Sequence, residues 1–284
     1  MERGFGRIAR TVKRFLEEHG YQVHLGAWVD IMVRGRLVFD FQIGHWLFHR
    51  PPRRGVPSAL YVTTEGRIDP RARSWLKGYD YIFAQSMWVK RMLEEIDVDS
   101  IYMPVGIDTD FFRPIDTVKF IDVLSIGIWE SSWDNRKFMD RVCQVAFPYT
   151  CYVHTRPNLP YDKLPLLYNS AKVYVCLSGC EGFNIPVVEA NACGLPVVYN
   201  EACATAENAY GVGVKPLKVY EVVDRGVPFL IHEPDIEGIR REVHRLLKDP
   251  SRLKSLSIEA RRHALRYDYR KTFKPLLEVL PTPR

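Results

Sequence analysis

No apolar run in the 284-residue sequence approaches the roughly 20 residues needed to span a bilayer, so no membrane-spanning helix is expected. The opening residues Met-Glu-Arg-Gly-Phe-Gly-Arg lack the apolar segment of a signal peptide, which makes a cytoplasmic location the expectation. Cysteine is missing from the first half of the chain. Cys143, Cys151, Cys176, Cys180, Cys193 and Cys203 all lie beyond it, and none forms a Cys-x2-Cys pair, which argues against a structural zinc site. Buried thiols are therefore expected, with disulfides only in a hyperthermophilic source. No internal repeat or low-complexity tract is visible.

Charge is present but unevenly placed. Residues 1–80 carry 14 Lys and Arg against 8 Asp and Glu, whereas residues 81–284 carry 26 of each, so the whole formal excess of +6 is N-terminal. A basic face of this kind suits an anionic membrane surface or a phosphate-bearing acceptor as readily as plain solubility. No nucleic-acid partner is expected, because no recognition motif accompanies the charge.

The most informative stretch is 178–198, Ser-Gly-Cys-Glu-Gly-Phe-Asn-Ile-Pro-Val-Val-Glu-Ala-Asn-Ala-Cys-Gly-Leu-Pro-Val-Val. Residues 172–177 ahead of it are short, apolar and β-branched, the pattern of a buried strand. A polar loop with Gly182 follows. Asn184 can cap a helix, Pro186 is tolerated in its first turn, and Gly194 with Pro196 supplies a stop before a strand over 196–199. A strand, a glycine loop and a helix start in this order aim unpaired backbone N–H groups at one spot, which favours a phosphate. Gly182 allows close approach of the backbone. The helix is apolar on nearly every face, so Glu189 within it needs a partner: a ligand hydroxyl pair or an arginine. Glu181 alone reads as a loop acid; the two acids around a helix start make a candidate site.

Glu181 and Glu189, with seven residues between them inside Glu-Gly-Phe-Asn-Ile-Pro-Val-Val-Glu-Ala and followed by Cys-Gly-Leu-Pro-Val-Val, resemble the donor-site signature of the retaining GT-B glycosyltransferases of the GT4 type. The resemblance implies an α/β GT-B fold, two Rossmann-like domains facing across a cleft, with the N-terminal one abbreviated here. It implies that Glu189 holds nucleotide ribose hydroxyls and that Glu181 contacts the transferred sugar, with Gly182, Phe183 and Asn184 lining the donor. In this family a glycine ending the first strand of the donor domain is followed by an Arg, and a Lys starts the next helix; the two cations hold the diphosphate. Gly127 and Lys137 match, Arg136 stands beside Lys137, and Ile128 occupies the first cation's place. A Gly-rich loop near the N-terminus would include Gly6, although no strand precedes it. Glu65 stands after a strand where the family often has a histidine, and is the third candidate catalytic residue beside Glu181 and Lys137.

The domains expected are 1–115 on the acceptor side, 116–265 on the donor side, and a helix over 266–284 crossing back to the first. Helices are expected over 4–20 and after Ser86, strands over 21–28, 37–41, 58–63 and 120–127, and a final short strand over 226–231. Residues 45–54, with aromatics, arginines and a double proline, are either a loop over the cleft or an ordinary loop whose aromatics enter the core. His154-Thr-Arg156 ends a strand, where α/β sheets bind ligands. The expected function is retaining transfer of a sugar from a nucleotide-diphosphate donor to an acceptor hydroxyl on a glycan, lipid or protein, with no cofactor and no metal. The alternative is a GT-B-like protein that binds nucleotide sugars without transferring them.

Overall fold

The computed structural model describes residues 4–26, 29–48, 50–127, 134–155, 159–224 and 227–283. It divides into two units, Met1–Asp108 with Tyr267–Arg284, and Thr109–Arg266. Ile128, Arg156 and Gly226, the first residue of the strand expected over 226–231, lie outside the described residues.

The first unit begins with α1 (Gly4–Glu18), whose Ile8, Val12, Phe15 and Leu16 form one buried stripe at helical spacing. Gly20, at φ +86°, closes it: the Tyr21 N–H reaches back to the Leu16 carbonyl at 3.1 Å. A six-stranded sheet follows in sequential order, β1 (Gln22–Leu25), β2 (Val29–Val33), β3 (Arg36–His45), β4 (Ser58–Thr63), β5 (Tyr81–Ala84) and β6 (Ile101–Tyr102). The first two pairings are antiparallel and the other three parallel. The strand expected over 21–28 thus ends at Leu25, and β2 is an additional strand. It turns into β3 at Arg34 and Gly35, both left-handed at φ 50° and 74°, the backbone of a type I′ hairpin. Short helices α2 (Arg73–Leu76) and α3 (Met87–Glu94) flank β5, and Ser86 caps α3 by accepting the Val89 N–H at 3.0 Å.

The chain returns to this unit at its end. In place of one helix over 266–284 there are two short ones, Tyr269–Thr272 and Lys274–Val279. Ile107 exchanges backbone hydrogen bonds with Tyr267 and Tyr269 at 2.9 and 3.0 Å, the Tyr269 hydroxyl donates to Glu18 at 2.8 Å, and Phe273 sits edge-on to Phe15. Gly106 is required at this contact, since a Cβ there would lie 2.5 Å from the Tyr269 Cα.

The second unit is a doubly wound parallel sheet in the order β11-β10-β9-β7-β8. Its elements are β7 (Ile121–Gly127), α4 (Val142–Ala146), β8 (Cys151–Thr155), α5 (Leu164–Asn169), β9 (Ala171–Cys176), α6 (Ile185–Ala192), β10 (Val197–Asn200), α7 (Thr205–Asn208) and β11 (Gly211–Val214). An antiparallel pair, β12 (Lys218–Asp224) and β13 (Val227–Glu233), precedes α8 (Ile236–Leu247) and α9 (Pro250–Ala264). Val123, Val173, Val175 and Val198 of the sheet pack under Val142 and Val145 of α4 and Ile239, Val243 and Leu246 of α8. Separately, α6 is wrapped by α5, α7, α9 and the sheet, which explains its lack of a polar face.

Candidate functional site

The carboxyl ends of β7, β9 and β10 lie together at one edge of the second unit's sheet, the edge at which parallel α/β sheets bind ligands. Buried β-branched residues bring β9 to this edge, and Ser178-Gly-Cys-Glu continues it as a loop that is itself buried. Glu181 lies at its centre. Its Oε1 accepts from Lys137 Nζ at 2.9 Å and from Ser178 Oγ at 2.8 Å, and its Oε2 lies 3.3 Å from Arg136 Nη1. Burial by itself would raise this carboxyl. The two cations and the two hydrogen bonds outweigh it and hold the group at about 2.

Arg136 and Lys137 close a 3-10 turn, Asp134–Lys137, and are not at the start of an α-helix as expected. Phe138, left-handed at φ 48°, and a second 3-10 turn intervene before α4. The arrangement is locked by the backbone: the Gly179 N–H donates to the Arg136 carbonyl at 2.6 Å, and Arg136 Nη1 donates to the Cys180 carbonyl at 2.6 Å. Two cations therefore converge on the Glu181 carboxylate, and cations of this kind also hold phosphoryl oxygens. Gly127, ending β7, packs against Met139, whose Sδ would lie 2.6 Å from an added Cβ.

Asn184 takes the N-cap position of α6 but does not cap it. It is left-handed, at φ 73°, and its Nδ2 donates instead to Thr205 Oγ1 at 2.9 Å and Cys176 Sγ at 3.1 Å. The expected capping role is corrected to that of a tie between the ends of β9 and α7. Phe183 is buried, and Asn208 Nδ2 donates to its carbonyl. Gly182 is buried between them. Glu189 is 1% exposed and accepts from the Tyr168 hydroxyl at 2.9 Å. Gly194, at φ 71°, ends the helix as expected, with the Leu195 N–H on the Ala190 carbonyl at 2.9 Å. Arg261 adds a cation at that end, donating to the Ala192 carbonyl at 2.8 Å.

Glu65 and Gly6 belong to the first unit. Gly6, expected on a loop, lies in the first turn of α1. Glu65 follows β4, with Oε2 3.7 Å from Nε2 of His45, the last residue of β3. The Leu47 N–H donates to His45 Nδ1 at 3.2 Å, which leaves the neutral ring's proton on Nε2, the atom facing Glu65. Sequence reasoning missed His45 because it read 45–54 as loop; the alternation of Arg36–His45 carried the strand through it. Within that stretch, Trp46 enters the core, stacked against Trp75.

Four of the six cysteines, expected as thiols, are paired: Cys143 with Cys151, and Cys180 with Cys203. Cys176 and Cys193 are free and buried, and burial pushes them up to about 11 and about 12. His154 is buried at the end of β8 beside Tyr152. No helix among the described residues is long and apolar enough to cross a membrane.

Comparison with known proteins fits this geometry. Residues 152–263 match the family described as glycosyl transferases group 1. D-inositol 3-phosphate glycosyltransferase of Salinispora arenicola is 36% identical over 232 residues, covering 80% of this chain and 42% of the relative. A protein of Sulfolobus islandicus filamentous virus named as a glycosyltransferase is 26% identical over 203 residues, covering 66% of this chain and 61% of its own length. The chain thus spans less than two thirds of these relatives. Among solved structures, sucrose-phosphate synthase from Thermosynechococcus elongatus superposes with a TM-score of 0.66 at 13% identity, over 86% of this chain and 73% of that one. Anabaena HepE in complex with UDP-glucose superposes at 0.61 and 13% identity, over 79% and 73%. The chain therefore has the fold of the GT-B glycosyltransferases, and its segment 152–263 carries the glycosyl transferases group 1 signature.

Proposed function

We propose that the protein is a retaining glycosyltransferase of the GT4 type, which moves a sugar from a nucleotide-diphosphate donor to an acceptor hydroxyl. The observation that carries this reading is the ionised Glu181 carboxylate held between Lys137 and Arg136 at the carboxyl edge of the sheet. Phosphoryl oxygens of a donor would compete with Glu181 for the two cations, which stabilise negative charge as the diphosphate departs. Glu181, released in part from its ion pairs, would accept hydrogen bonds from the transferred sugar. Glu189, buried with Tyr168, would take the ribose hydroxyls. In the first unit, Glu65 with His45 is the candidate acceptor-side pair. HepE has been seen with UDP and with UDP-glucose, which makes uridine diphosphate sugars the first donors to try.

The experiment is donor turnover, read as released nucleoside diphosphate with a panel of nucleotide sugars, followed by the anomeric configuration of the product. The Glu181→Ala variant should lose turnover, by on the order of a hundredfold or more, with donor affinity largely kept; Glu189→Ala should lose affinity. Wild-type behaviour in both variants would contradict the assignment, and an inverted anomer would contradict retention. The folding of Gly4 and Gly6 into α1 favours a second reading, nucleotide-sugar binding without transfer. Under it the same panel would show binding and no released diphosphate.

A further inference from the structure

Beside the Glu181 group lies a cluster that the transfer reading does not use. Cys180 is bonded to Cys203, 23 residues on in the turn between β10 and α7. His232 of β13 brings Nδ1 to 3.5 Å from Cys203 Sγ, and the two sulfurs and an imidazole nitrogen all lie within 4.8 Å of one another. Two sulfurs and an imidazole are the donor set that zinc-like cations take, with one tetrahedral position left for water.

Backbone and amide bonds bring these three residues together independently of the S–S bond. Asn200 Nδ2 donates to the Ser178 carbonyl at 3.1 Å and to the His232 carbonyl at 2.7 Å. The His232 N–H donates to the Gly179 carbonyl at 3.0 Å, and the Ala204 N–H to the Glu181 carbonyl at 3.2 Å. The flanks of both cysteines and of the histidine are thus fixed to one another, so opening the disulfide would leave the donors converging.

We propose that Cys180, Cys203 and His232 form a redox-gated site for a thiophilic divalent cation of the zinc type, closed as the disulfide and open when reduced. A dithiol reductant supplies two electrons and two protons: the S–S bond breaks, two thiols form, and the reductant leaves as its own disulfide. On binding the cation each thiol releases its proton to solvent and each sulfur donates a lone pair. His232 contributes Nδ1 as the tautomer protonated on Nε2, giving up its present 3.0 Å contact with the Gly179 carbonyl. The site rests on these three residues alone and stands or falls apart from the sugar-transfer reading.

Cobalt(II) is the probe. The full chain is reduced with dithiothreitol, desalted without oxygen and titrated with Co2+. Reduced protein should bind one Co2+ per chain, with thiolate-to-cobalt absorption in the near ultraviolet that Zn2+ abolishes. Oxidised protein should show none. The Cys143→Ser/Cys151→Ser double variant should keep the absorption and Cys203→Ser should lose it. His232→Gln retains both cysteines and can fold with its disulfide intact; after reduction its Co2+ affinity should drop by on the order of a hundredfold. Absence of thiolate absorption in the reduced wild type, its persistence in Cys203→Ser, or a wild-type isotherm for His232→Gln would each overturn the proposal.

Discussion

Held by Lys137, Arg136 and Ser178, the Glu181 carboxyl stays ionised far below the usual carboxylate range, at about 2 against an unperturbed 4.5. A carboxyl depressed on folding contributes stability that is fully present above its unfolded pKa and is lost as pH falls through the folded one. The contribution is on the order of 3 kcal/mol, and it should disappear between about pH 4.5 and pH 2. Denaturant midpoints measured across that window should fall for wild type more steeply than for Glu181→Gln. Equal slopes would mean that the carboxylate is not held by the two cations. At neutral pH Glu181→Gln should itself be destabilised, by roughly 3–5 kcal/mol, because it leaves the buried Arg136 and the half-buried Lys137 facing a neutral amide.

Legibility at this scale followed local spacing. Glu181 and Glu189 stand in a recognisable frame, and Arg136 and Lys137 stand next to each other, so all four could be named from the sequence. His45 was missed because its partner Glu65 is brought to it by the parallel pairing of β3 with β4, and Ser178 because its bond to Glu181 depends on how the loop holding both folds back on itself. Cys180 and Cys203 were missed as a pair because a whole helix and strand separate them, and only the parallel pairing of β9 with β10 makes them neighbours.

Among the elements, β9, its loop and α6 were legible because their signals are local: a short β-branched run, glycines at the turns, and a helix without a polar face. Asn184 shows the limit of that reasoning. A residue of good capping type was diverted to Thr205 and Cys176, partners that the local sequence does not reveal. The hairpin of β2 and β3 was hidden for a related reason. Its turn carries one glycine, and Arg34 adopts a left-handed conformation that few would assign to arginine. At the end of β7, Gly127→Ala would press a methyl group into Met139, at a cost of about 1–3 kcal/mol. Removing the obstruction in Gly127→Ala/Met139→Ala should recover part of that loss relative to Met139→Ala alone. A double-mutant cycle in urea reads the coupling, and simple additivity would show that Met139 is not the group in the way.

Across the whole molecule, the return of the last residues to the first unit ties that unit's integrity to both chain ends. Phe273 and Leu276 are fully buried there, and each such side chain contributes roughly 1.5–3 kcal/mol. Truncation after Arg266 should therefore destabilise the first unit by several kcal/mol, by the same reasoning, while sparing the second. Hydrogen exchange reads this directly: amides of α1 and β6 should lose protection while those of α6 keep theirs. Unchanged protection in α1 would mean that the returning segment contributes little. The five-stranded parallel sheet of the second unit was the more legible, since β7, β9 and β10 each read as one apolar run. The first unit mixes antiparallel and parallel pairings, and its strands β1, at the edge, and β2, beside it, are short and partly exposed.

The central claim is that the loop between β9 and α6 takes a nucleotide diphosphate. Thermal unfolding of the full chain in the presence of uridine, guanosine, adenosine and thymidine diphosphates tests it, because a ligand that binds only the folded state raises the midpoint as its concentration exceeds Kd. At least one diphosphate should raise the wild-type midpoint, with the shift lost in Glu189→Ala and reduced in Lys137→Ala. No shift with any of the four, or an equal shift in the Glu189→Ala variant, would contradict the account.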